Sequence, residues 1–155
     1  MTYAWTWNDT MHHIAQGKAT VEALYGFYAS NAKGYPRDAI RMMFVSNHDK
    51  NSWDGTEYEM FGDAVHAAIV LSVVGEGMPL LYNGQEAGNE KRLKFFERDP
   101  INWKGYPLAG FYGQLLALKK QQVALGNGHH GGALELSNRR APGGSDSAPC
   151  RGGRA

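Results

Sequence analysis

Two short polar strings hold the side chains best suited to chemistry. Ser46, Asn47, His48 and Asp49 close one apolar run, and Gly84, Gln85 and Glu86 follow another. Ser46, His48 and Asp49 have the residue types of a nucleophilic triad. On an extended backbone, however, neighbouring side chains point to opposite faces and do not relay a proton. Asp49 can instead place a single carboxylate in a pocket, or cap a turn as Asx residues do. Both readings stand open on the residues alone. His12–His13 and His129–His130 are poor metal ligands, because adjacent histidines on a helix diverge by about 100°. His66 lies mid-helix between Val65 and Ala67 and is read as packed or flanking. Lys91, Arg92 and Lys94 sit between Glu90 and Glu97 and are read as a solvated basic cluster.

These groups need elements to position them. Tyr3, Trp5 and Trp7, at spacing two, read as a strand end or an aromatic loop. Asn8 to Gln16 reads as a short helix capped by Asn8 or Asp9 and stopped by Gly17. Val21, Leu24, Tyr25 and Tyr28 mark a second helix, ended by Gly34, Tyr35 and Pro36. Ile40 to Ser46 reads as a buried strand. Thr56 to Glu59 is a capping-box pattern, opening one helix whose apolar residues run from Tyr58 to Val73 before Gly75 and Gly77. Pro79 to Asn83 reads as a second buried strand, Gly84 to Tyr106 as a long charged loop, and Leu108 to Leu118 as a last helix stopped at Gly126. Ala133 to Leu136 is a candidate for one more strand. Buried strands alternating with helices predict an α/β fold with a parallel sheet. Ligands meet such sheets at the carboxyl ends of the strands, where Asn47–Asp49 and Gly84–Glu86 lie.

Composition sets the outer limits. The chain has 155 residues, 43% of them hydrophobic, and a formal charge of +1, which fits one globular domain. The longest apolar run, Ala64 to Val74, is interrupted by His66 and Ser72 and is too short to span a bilayer, so no membrane partner is expected. One cysteine, Cys150, offers no internal disulfide. Met1 to Asp9 has neither the basic stretch nor the apolar stretch of a signal peptide, and the compartment is left unknown. Residues 137–155 read as a disordered Gly/Arg-rich tail. From Arg139 onward, four Arg against one Asp leave residues 1–138 with a charge of −2. Such a tail can touch nucleic acid, but the near-balanced charge gives no electrostatic case for that partner.

Taken together, FVSNHD (Phe44 to Asp49), GMPLLYNGQE (Gly77 to Glu86) and FFERDPINW (Phe95 to Trp103) resemble the α-amylase family of glycoside hydrolases. The first string is similar to the segment closing barrel strand seven. The second is similar to strand eight and its turn, and the third to the loop leading into the last barrel helix. The resemblance implies an α/β fold in which residues 1–136 form part of a (β/α)8 barrel: the end of strand six, then strands seven and eight with their helices. It implies a retaining α-glycosidase acting on α-glucans or malto-oligosaccharides, with one carboxylate as nucleophile and another as general acid.

Asp49 matches the family's third carboxylate, which favours the oxocarbenium-like transition state. His48 matches the histidine that bonds sugar hydroxyls, Asn47 supports the segment, and Glu86 matches a structural barrel-end glutamate. The nucleophile and general acid belong after strands four and five, which the match places ahead of Met1. A whole barrel needs about 250 residues, so the chain is expected to be an incomplete catalytic domain without turnover of its own. No cofactor or metal is implied for this segment, although a full-length parent can hold structural calcium. Self-association through open sheet edges is expected. The alternatives are a transglycosylase or isomerase of the same family, and a non-catalytic glycan-binding piece using Trp53, Trp103, Tyr82 or Tyr106.

Overall fold

The computed structural model describes residues 1–126 apart from 37 and 104. The candidate strand at Ala133–Leu136, the tail, Cys150 and His129–His130 lie outside the described residues. In chain order the elements are β1 (Thr2–Tyr3), α1 (Trp5–Ala15), α2 (Glu22–Gly34), β2 (Arg41–Met43), a π-helical turn (Lys50–Asp54), α3 (Glu57–Phe61), a 3-10 turn (Gly62–Ala64), α4 (Val65–Val74), β3 (Met78–Pro79), α5 (Ala109–Gln121) and a final 3-10 turn (Val123–Leu125).

The three strands form one parallel sheet in the order β1-β2-β3. Thr2 pairs with Arg41, Met42 with Met78, and Met43 with Pro79. Parallel neighbours need a crossover between them. Here α1 and α2 join β1 to β2, and α3 and α4 join β2 to β3. The strands are shorter than the sequence predicts. Pro79 cannot donate to a ladder, so regular pairing stops there and resumes only as Leu80 N donating to Met43 O at 2.8 Å.

α4 shows how the core is built. Val65, Ala68, Ile69, Ser72 and Val73 are buried at helical spacing, and all but Ser72 join Trp7 and Met11 of α1, Leu24 and Phe27 of α2, Met43, Met60, Phe61, and Tyr112 and Leu115 of α5 in one cluster. α4 packs on α5 and α1 packs on α2.

Two expectations are corrected. The first helix begins at Trp5 rather than at Asn8 or Asp9. Neither residue caps it, because Asn8 is already inside the helix and buried. The helix opened by the capping box is two helices, broken where Gly62 takes φ +51°, a conformation glycine adopts readily. The box itself forms: Glu59 N donates to Thr56 Oγ1 at 3.2 Å and Thr56 N donates to Glu59 Oε2 at 2.7 Å.

Candidate functional site

The chain leaves β2 through Phe44, Val45, Ser46 and Asn47, all buried. Asn8 of α1 holds that stretch, its Nδ2 donating to Phe44 O at 3.0 Å and to Val45 O at 3.1 Å. The Phe44 ring meets Trp5 and Tyr3 edge-on. Asn47 then turns the chain. Its Oδ1 accepts from Lys50 N at 2.8 Å, and its backbone carbonyl accepts from Asn51 N at 2.9 Å.

That turn lifts His48 and Asp49 to the rim. His48 Nε2 lies 3.5 Å from Asp49 Oδ2, with the side chains 51% and 39% exposed. The backbone at His48 and Asp49 is helical, not extended, so these two neighbours do meet. Ser46 takes no part: its hydroxyl is buried and has no protein partner among the described residues. A Ser–His relay is absent for that reason, and not for the extended geometry the sequence implied.

The π-helical turn after Asp49 fastens this rim to the loop beyond β3. Asn51 Oδ1 accepts from Leu93 N at 2.7 Å, and its Nδ2 donates to Lys91 O at 3.2 Å. Ser52 Oγ donates to Leu93 O at 2.7 Å. Lys50 bridges Asp9 at 2.7 Å and Asp54 at 2.6 Å. Burial pulls its pKa down, but hydrogen bonds to Asp54 and Asp9 outweigh that and leave it raised.

Glu86 sits in the turn after β3, half-buried, and its carbonyl accepts from Leu108 N at 3.3 Å at the entry to α5. Sequence reasoning pointed to Gln85 in that turn but not to its burial, and it missed Glu57 of α3. Gln85 is buried and donates through Nε2 to Tyr112 Oη at 2.8 Å and to Glu57 Oε2. Its Oε1 accepts from Tyr82 N. Glu57 is also buried, its Oε1 has no protein partner among the described residues, and burial raises its pKa to about 7. Together Ser46, Asn51, Glu57 and Gln85 help line a small polar cavity of about 10 Å³. Glu57 stood in sequence only as the residue after a capping threonine, and no local signal marked it as buried.

The remaining candidates also have places. His12 and His13 stack on each other at 6.3 Å, and His12 contacts Gln16 and the Phe61 ring. Burial, then the Lys50 charge, lowers the pKa of His12. His66 lies against Phe111 at 5.4 Å, as a flanking residue does. Trp103 stacks on Tyr106. The basic cluster is paired rather than simply solvated: Lys91 with Asp99, Arg92 with Glu59 at 2.8 Å, and Lys94 with Glu97 at 2.6 Å. Among the described residues no three His, Cys, Asp or Glu side chains are grouped to hold a metal ion, and no helix is long and apolar enough to cross a membrane.

This arrangement has clear counterparts among solved structures. A maltogenic α-amylase from Thermotoga neapolitana superposes with a TM-score of 0.66 at 21% identity, over 79% of this chain and 29% of that one. An α-amylase from Lactobacillus plantarum superposes with a TM-score of 0.67 at 22% identity, over 83% of this chain and 30% of that one. The fold is that of part of an α-amylase chain. This chain spans about a third of the length of the α-amylases it matches. No protein-family model matches the sequence, and no curated protein does. Within the α-amylase likeness, three parallel strands and their helices fit a partial barrel, with His48 and Asp49 just past the carboxyl end of the middle strand.

Proposed function

We propose that the chain is part of a retaining α-glycosidase of the α-amylase type, with Asp49 as the carboxylate that favours the oxocarbenium-like transition state. In this reading β1 ends barrel strand six, and β2 and β3 are strands seven and eight. One observation carries it: a partly exposed carboxylate, paired with an imidazole at 3.5 Å, stands past the end of a parallel strand in a fold shared with α-amylases. Ligands of parallel sheets bind at that end.

The roles follow from position. Asp49 faces solvent on one side and can approach a sugar ring as positive charge develops on it. His48 is exposed enough to bond sugar hydroxyls. Asn47 is buried and holds the turn that presents both. Glu86 acts through its backbone, joining the turn after β3 to α5. Retention needs a nucleophile and an acid besides Asp49. Among the described residues none matches either role, and the chain taken alone is expected to show no turnover.

An iminosugar tests the assignment, because its protonated ring nitrogen copies the transition-state charge. Titrated with 1-deoxynojirimycin, the chain is expected to bind, and Asp49→Asn to weaken binding roughly tenfold, the worth of one charge-assisted hydrogen bond. Equal affinity in the two proteins, or no binding by the unchanged chain, overturns the role of Asp49. Turnover of maltoheptaose that disappears in Asp49→Asn overturns the claim of inactivity.

A further inference from the structure

Beside His48 lies an aromatic cluster that the chemistry above does not use. Trp53 and Phe95 have ring centroids 5.4 Å apart, Phe95 and Phe96 are 4.8 Å apart, and Trp53 and Phe96 are 6.3 Å apart. Phe95 also reaches the His48 ring at 5.7 Å and 32°. These rings bound an open cavity of about 300 Å³, within the size range of ligand clefts. Trp53 is 59% exposed and Phe96 is 85% exposed, far more than packing alone requires.

We propose that Trp53, Phe95 and Phe96 form a sugar-binding shelf that extends the Asp49 site and takes a pyranose ring of an α-glucan next to the ring at His48. The proposal rests on the glycosidase reading and names where the rest of the chain-like substrate lies.

Three features favour that occupant. The shelf is pre-organised: Asn51 and Ser52 tie the turn carrying Trp53 to the backbone at Lys91 and Leu93, just before Phe95. Little ordering is left for binding to accomplish. Its rim is also already neutralised. Arg92 is held by Glu59, and Lys94 by Glu97. A polyanion would find no unpaired cation among these, whereas a neutral ligand keeps the pairs intact. Lastly, a pyranose has an apolar C–H face and a polar hydroxyl edge. The first matches exposed aromatic rings and the second matches a rim of paired charges. The Phe95–His48 contact makes the shelf continuous with the imidazole beside Asp49.

Calorimetry on the full chain, with maltoheptaose and 1-deoxynojirimycin as separate probes, tests it. Trp53→Ala and Phe96→Ala are each expected to weaken maltoheptaose roughly fivefold, the worth of one aromatic contact. Both should leave the iminosugar affinity and the thermal melt unchanged, since both side chains are largely exposed. Maltoheptaose affinity in both variants equal to that of the unchanged chain, or no maltoheptaose binding by the unchanged chain, overturns the shelf. So does a light-scattering mass that falls in Trp53→Ala, because a second copy would then be the occupant. If iminosugar binding ignores Asp49 while maltoheptaose still depends on Trp53 and Phe96, the transition-state role fails and the shelf stands.

Discussion

Glu57 is an acid whose surroundings oppose its charge. It is buried against Gln85 and Tyr112, with one carboxylate oxygen lacking a protein partner among the described residues. Desolvation disfavours the charged form, and its pKa rises from 4.5 to about 7. The unfolded chain releases this proton near 4.5, so between there and about 7 the folded protein holds the extra proton. Stability therefore falls as pH rises through that window and levels off above it, with a total change on the order of 3 kcal/mol. Glu57→Gln is expected to remove this slope. Denaturant melts at pH 5 and pH 8 measure it, and an unchanged slope in the variant removes Glu57 as the cause. Asn47, His48 and Asp49 were legible as polar groups after an apolar run because that signal is local. Gln85 was legible in the same way, but its burial and that of Glu57 were not, since both depend on elements 27 and 28 residues apart in sequence.

At the scale of elements, two contacts position the strand that carries the site. Asn8 of α1 bonds the Phe44 and Val45 carbonyls just past β2. Asn8→Ala leaves both without that donor and opens a small void, and should cost about 2–3 kcal/mol in a denaturant melt. Gly77, before β3, sits at φ +114° with the place of a Cβ only 2.5 Å from Arg41 O. Gly77→Ala must push β3 away from β2, and strain plus overpacking should cost about 3 kcal/mol. Gly26→Ala in α2 is the matched control, because a Cβ there meets nothing within 4 Å and alanine favours a helix by about 1 kcal/mol. If the two melts shift alike, close approach is not what Gly77 provides. Patterning correctly gave the alternation of helices with two parallel strands, and the capping box at Thr56. It misread Asn8 as a cap because Asx residues so often serve as one. It read Gly77 as a helix stop, since a long-range backbone approach leaves no local trace. The third strand, β1, is too short at Thr2–Tyr3 to stand out by alternation.

The whole molecule sets its most general property. Its sheet has three strands of two or three residues each, and among the described residues the outer edges of β1 and β3 have no strand partner. Parallel sheets are normally covered on both faces and along their edges. Large apolar side chains are also exposed at Val21, Leu116, Leu118 and Val123, two of them on α5, whose Tyr112 and Leu115 face the core. Unpaired edges are a template for another chain, and short edges limit how much each pairing contributes. Leu116 and Leu118, about 200° apart around α5, flank its core face on opposite sides and add apolar area that short strands cannot. The expected outcome is reversible self-association, seen as a light-scattering mass that rises with concentration. Leu116→Glu together with Leu118→Glu should reduce that rise with little effect on the melt, since both positions are exposed. A monomer mass independent of concentration, with a single cooperative melt, would show that the three-strand sheet is sufficient by itself.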